Sequence, residues 1–146
     1  MHSMKRLQYT KILVPVDGSK FAEKALLHAC ELAKNYHSKI TLIYVVDKSH
    51  TINLLDKKEY LAMVRKFGDK VIKKSLSLTV QNGIDAKHVI KEGNVADEII
   101  NLAKKDNTNL IVMGSRGLGK TLRLFLGSIS NKIVNNSPCS VLIIKN

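Results

Sequence analysis

The stretch "NLIVMGSRGLGKT", Asn109 to Thr121, joins an apolar run to a glycine-rich loop. From Gly114 to Thr121 it satisfies G-x-x-x-x-G-K-[ST], the spacing of a phosphate-binding P-loop. Such a loop lies between a strand and the helix that follows directly. Further strands then supply a carboxylate for Mg²⁺ and a group that orients the nucleophile. Here a single strand, "CSVLIIK" (Cys139 to Lys145), follows, and it carries no acidic residue. "LRLFLG" after Thr121 also runs into Gly127-Ser128, a poor interior for the required helix. The match is read as coincidental, which leaves Lys120 without an assigned role.

A second spacing in the same region fits better. Gly114, Gly117, Gly127 and Ser128 form G-x2-G-x9-G-S, placed after one strand and opening the last helix. Gly114 and Gly117 would let backbone N–H groups approach a polyphosphate with no Cβ in the way. The Ser128 hydroxyl and the free N–H groups of Ile129 and Ser130 would complete an anion site at the helix start.

Outward from this loop, apolar runs alternate with helix-periodic segments. "KILVPV" (Lys11 to Val16) reads as a buried strand. "DGS" then gives a turn, with Ser19 as the cap of a helix whose Ala22, Ala25, Leu26, Ala29, Leu32 and Ala33 recur at helical spacing. "KITLIYVVD" (Lys39 to Asp47) is a second strand, rich in β-branched and aromatic residues. The polar connection from Lys48 to Lys58 leads into a long helix from about Leu54 to Val80, stopped by Asn82-Gly83. "AKHVIKE" (Ala86 to Glu92) alternates and reads as a more exposed strand. Asn94 can cap the next helix, whose stripe is Ala96, Ile99, Ile100 and Ala103, with Lys104 and Lys105 suiting its C-terminal dipole. "TNLIVMG" is the fourth strand, a helix runs from about Ser128 to Asn135, and "CSVLIIK" closes the series. Strands joined by helical crossovers imply an α/β fold: a doubly wound, five-stranded parallel sheet with helices on both faces. In such sheets ligands bind beyond the carboxyl ends of the strands, where the strand order reverses.

The chain of 146 residues suits a single domain spanning 1–146. No apolar stretch is long enough to span a membrane, and the first residues lack the apolar region of a secretory signal, so a cytoplasmic location is expected. Cys30 and Cys139 stand apart among apolar neighbours and read as buried thiols. The histidines show no spacing suited to zinc, so no metal held by protein side chains alone is expected. A net charge of +12 raises nucleic acid as a partner. However, the densest basic stretch, Lys57 to Lys74, is interleaved with acidic residues, and with aromatics at only 5% of the chain no stacking platform for bases is visible, so a solvated helix face is preferred.

Taken in order, "KILVPVDGSKFAEKAL", "ITLIYVVD", "GNVADEII", "NLIVMGSRGLG" and "GSISNKIVNNSPCSVLII" resemble the universal stress protein family, in its ATP-binding branch. The resemblance covers nearly the whole chain and keeps the glycine spacing intact. It implies the Rossmann-like, adenine nucleotide α-hydrolase-like sheet, ATP or another adenine nucleotide as ligand, and a homodimer through the last strand. By position it implies that Pro15, Val16 and Asp17 border the adenosine, with the Asp17 carboxylate accepting from ribose or adenine. Val45 would meet the adenine edge through its backbone, and Met113 would pack near the base. Gly114, Arg116, Gly117, Gly127, Ser128, Ile129 and Ser130 would surround ribose and phosphates. The family does not require a lysine at Lys120, and the connection from Lys48 to Lys58 would be a mobile flap.

No Ser-His-Asp grouping and no paired carboxylates near the glycine loop point to fast chemistry. Asp17 is the one acidic residue expected near the nucleotide. A regulatory stress-response role is therefore preferred to an enzymatic one. Any ATP hydrolysis would be slow, with Mg²⁺ arriving on the phosphates. Substrate-activating relatives of this fold carry H-x-G-H or S-G-G-x-D-S after the first strand, where this chain has "DGSK".

Overall fold

A computed structural model describes residues 8–48, 57–117 and 126–145. Within these, strands β1 (Lys11–Pro15), β2 (Lys39–Asp47), β3 (Ala86–Gly93), β4 (Leu110–Gly114) and β5 (Ser140–Ile144) alternate with helices α1 (Lys20–Tyr36), α2 (Lys57–Gln81), α3 (Val95–Lys105) and α4 (Ser128–Asn136). All pairings are parallel and the strand order is β3-β2-β1-β4-β5. The doubly wound α/β sheet expected from the alternation is the fold observed.

The strand period of two decides which layer each residue feeds. Ile12 and Val14 of β1, with Leu42, Tyr44 and Val46 of β2, face α1 and α2 in one buried cluster. Leu13, Ile43 and Val45 turn to the other face, where they meet Ile99 and Ala103 of α3 and Ile133 of α4. The central strands are therefore apolar at nearly every position, because both faces are covered.

Local signals set the helix ends. Ser19 accepts from the Ala22 N–H at 3.1 Å, and Asn94 from the Asp97 N–H at 3.1 Å, as their cap positions predict. After α2, Gly83 takes the left-handed φ of 73° while the Ile84 N–H reaches back to Thr79 C=O at 2.9 Å, which closes the last turn. The start expected for this helix, at Leu54, lies outside the described residues. Along α2, Lys66, Lys70, Lys73 and Lys74 are exposed, as a solvated basic face requires.

Strand ends differ from expectation by one or two residues, and two of the differences have a visible cause. β1 stops at Pro15, although the Val16 N–H still donates to Ile43 C=O at 2.9 Å before the chain turns away. β5 starts at Ser140 because the Cys139 N–H is taken by Ser137 Oγ at 3.2 Å instead of a neighbouring strand. Cys30 is buried as expected, and burial pushes its thiol pKa up. Cys139, in that turn before β5, is only half-buried, a correction to its reading as a core thiol. Among the described residues no helix is long and apolar enough to cross a membrane.

Candidate nucleotide cleft at the switch point

β1 and β4 are neighbours at the centre of the sheet, but their chains leave in opposite directions. β1 feeds α1 on one face, whereas β4 leads towards α4 on the other. Their ladder holds only through Ile12 with Leu110 and Leu13 with Ile111. Beyond those pairs the strand ends part, and a cleft of about 330 Å³ opens over their carboxyl ends.

The residues expected at a ligand site come to this cleft from four separate parts of the chain. Pro15, Val16 and Asp17 lie at the end of β1, and Val45 lines the cleft from β2. Met113, Gly114, Arg116 and Gly117 come from the end of β4 and the loop after it. Gly127, Ser128, Ile129 and Ser130 close it from the start of α4. Lys120 lies outside the described residues, as does the connection after β2 apart from its ends, Lys48, Lys57 and Lys58.

The Asp17 carboxylate is held at one oxygen. Oδ1 accepts the Ser19 N–H at 2.8 Å, which makes the expected turn, while Oδ2 lies against Gly117 where a Cβ would otherwise stand. Gly117 thus allows the loop after β4 to come down onto the carboxylate. Gly114 has a different reason from the one expected. A Cβ there would stand 2.7 Å from Phe21 Cβ and 2.9 Å from the Phe21 carbonyl carbon, so its bareness lets α1 pack against β4. At Gly127 a Cβ would meet Ser115 O at 3.5 Å, an ordinary contact. Among the described residues nothing on the protein side therefore demands a glycine at this cap position.

The start of α4 presents unused donors. The Gly127 N–H is taken by Ser115 C=O at 2.8 Å, and the first helical bond runs from the Asn131 N–H to Gly127 C=O at 2.9 Å. The N–H groups of Ser128, Ile129 and Ser130 consequently have no acceptor within the helix. The Ser130 hydroxyl serves the fold instead. It lies 3.1 Å from both Gly114 C=O and Ser115 C=O, pinning the helix start to the end of β4.

Val45 owes its place to register. Ile43 C=O points at β1, where it accepts from Val16, and Val45 directs its backbone groups the same way two residues on. β1 has ended by then, so these groups open into the cleft beside Met113.

Several lining residues were not anticipated. Asp47 lines the cleft two positions after Val45 on the same strand face, so Asp17 is not the sole carboxylate there. The strand alternation carried that signal. Val95 and Ile99, at adjacent turns of α3, add an apolar wall. Tyr44 also lines the cleft; burial, then the Asp17 charge and the Tyr60 phenol, hold its hydroxyl above the usual phenol range. At the outer end of β3, Glu92 accepts from Arg65 Nε at 3.0 Å and pairs with Lys48 at 3.3 Å. The Arg65 hydrogen bond, with help from Lys48, holds that carboxyl below its ordinary range.

The model of the universal stress protein family matches residues 8–145. The chain belongs to the universal stress protein family. Universal stress protein MJ0531 of Methanocaldococcus jannaschii is 32% identical over 140 residues, covering 94% of this chain and 82% of that one. Universal stress protein UspA from Lactobacillus plantarum superposes with a TM-score of 0.85 at 30% identity, covering 94% of this chain and 98% of that one. Two further members share the fold. One is a universal stress protein in complex with cAMP, with a TM-score of 0.73, 20% identity and coverage of 93% and 97%. The other, from Arabidopsis thaliana with AMP bound, has a TM-score of 0.71, 22% identity and coverage of 94% and 92%.

Proposed function

We propose that the chain is one domain of the ATP-binding branch of the family, a cytoplasmic, regulatory nucleotide-binding protein of the stress response. The convergence of the predicted residues on one cleft at the switch point carries this reading. An adenine nucleotide fits the donors and acceptors on offer. The phosphates meet the free N–H groups at the start of α4, and a ribose hydroxyl can donate to Asp17 Oδ2. The base lies between Val45 and Met113, walled by Val95 and Ile99. The cAMP and AMP complexes of the two related folds agree with an adenine ligand. Mg²⁺ would enter with a triphosphate. Asp47 and Asp17 could then act on its outer coordination sphere, which favours slow hydrolysis as a second reading.

Base selectivity tests the assignment. Adenine presents an N6 amino donor where guanine presents the O6 acceptor. A backbone carbonyl facing O6 would be left unsatisfied at about 1–3 kcal/mol. ATP should therefore bind about ten- to a hundredfold more tightly than GTP. Asp17→Ala should weaken both alike, because the ribose is common to them. Equal affinity of the unaltered protein for ATP and GTP in calorimetry would show that the base is not read at Val45.

The same proposal includes a homodimer through the last strand, Cys139 to Lys145. The sheet has two edges of opposite character. β3 carries Lys87, Lys91 and Glu92, charges that discourage further pairing, whereas β5 reads Ser-Val-Leu-Ile-Ile with none. Leu142 on β5 is 36% exposed, and pairing across a two-fold axis would cover it. Light scattering at micromolar concentration should give twice the 16.3 kDa chain mass. A monomer there would remove this part of the proposal.

A further inference from the structure

Behind the turn formed by Asp17, Gly18 and Ser19, on the α1/α2 side of the sheet, lies a second cavity of about 200 Å³. Val16 and Ala22 belong to the walls of both cavities. One stripe of α2 supplies most of the remaining lining: Phe67, Lys70, Val71, Lys74, Ser75 and Leu78 recur at helical spacing. The Phe67 ring is packed against the turn, since a Cβ on Gly18 would stand 3.0 Å from its Cζ. Gly18 itself sits at φ 87°, so glycine is needed there for the backbone as well as for the ring.

Two polar features interrupt the apolar lining. Ser75 is only 7% exposed and lines the cavity, and its hydroxyl, which solvent still reaches, makes no hydrogen bond among the described residues. At the rim, the exposed Lys74 ammonium stands 3.7 Å from Glu23, while Lys70 has no carboxylate partner among the described residues. A hydroxyl with an uncommitted donor inside an apolar hollow, with an ammonium at the rim, favours an anionic head group.

We propose that this cavity binds a small amphiphile with a carboxylate head. Its apolar chain lies against Val16, Ala22, Val71 and Leu78, and its head accepts from the Ser75 hydroxyl and the Lys70 ammonium. The site shares only Val16 and Ala22 with the proposed nucleotide cleft, and its test does not depend on nucleotide.

Octanoate is the probe, with octanol as the uncharged control of equal length. Each is titrated into the full chain and followed by methyl NMR. Octanoate should give saturable shifts at Val71 and Leu78, which line this cavity and not the cleft, and none at Ile99 and Met113, which line the cleft and not this cavity. Octanol should bind about fivefold or more weakly, and Lys70→Gln should weaken octanoate by about fivefold while leaving octanol unchanged. Ser75→Ala should weaken octanoate about three- to tenfold, yet leave the melting temperature of the unliganded protein unchanged. That readout separates a ligand-binding hydroxyl from a structural one. Lys70 is exposed, so its variant does not threaten the fold. Unmoved methyls, equal binding of octanol and octanoate, an unaffected Lys70→Gln, or a lowered melting temperature in Ser75→Ala would each overturn the proposal.

Discussion

Gly114→Ala is expected to lower the melting temperature by about 6–12 °C, on the basis of roughly 3 kcal/mol of overpacking in a domain of this size. The added methyl would stand 2.7 Å from Phe21 Cβ, 2.9 Å from the Phe21 carbonyl carbon and 3.0 Å from its oxygen. Two of these are backbone atoms in the first turn of α1, so no rotamer change relieves them. Either the helix lifts from the sheet or β4 bends, and both motions disturb the central core. Gly114→Val should not yield a folded protein at all. Thermal unfolding followed by circular dichroism checks both. A melting temperature for Gly114→Ala within about 2 °C of the parent would mean that α1 yields cheaply, contrary to close packing at this contact.

The second expected result concerns ligand and not fold. Gly127→Val should weaken ATP by about a hundredfold or more, equivalent to roughly 2.7 kcal/mol. Among the described residues its Cβ has ordinary room, 3.5 Å from Ser115 O, so the branched methyls intrude on the space proposed for phosphate. The fold should lose only the difference between glycine and valine at a helix cap, about 1 kcal/mol or a few degrees. Lys120→Ala, by contrast, should cost at most about fivefold in affinity, the scale of one exposed charge contact. Calorimetry on the two variants separates the glycine readings. Loss of ATP binding in Lys120→Ala, with retention in a folded Gly127→Val, would restore the P-loop reading and remove ours.

The fold was legible because its signals are local. Apolar runs bounded by Ser19, Gly83 and Asn94 announced where strands and helices must change over, and each of these residues acts at its junction as its chemistry predicts. The positions of the site residues followed from the order of the strands, since a loop after a central strand has one place to go. What escaped the sequence depends on contacts between distant segments. The need for glycine at Gly114 comes from Phe21, far away in the chain, and no loop pattern contains that information. Asp47 was hidden differently. Read as the end of a strand, it reaches the cleft only because β1 stops short beside it. The half-exposure of Cys139 has a local cause instead: the Ser137 hydroxyl takes its N–H, so β5 starts one residue late.

The pairing of β1 with β4 has a consequence for assembly. These strands are brought together across some hundred positions, and a polar clasp fastens their lower ends. Thr10 Oγ1 meets Asn109 Oδ1 at 2.7 Å, the Lys11 N–H donates to the same oxygen at 2.8 Å, and the Asn109 N–H returns to Lys11 C=O at 2.9 Å. Everything from β1 to β3 can be knitted from neighbouring crossovers, whereas β4 must find β1 over the longest separation of any strand pairing, with β5 then pairing to β4. The clasp closes one end of that seam. The other end is the cleft, whose floor comes from the early strands and whose roof comes from the late ones. A molecule lodged there acts as a second rivet on the join between the two halves of the chain, so that occupancy registers as resistance of the whole sheet to coming apart.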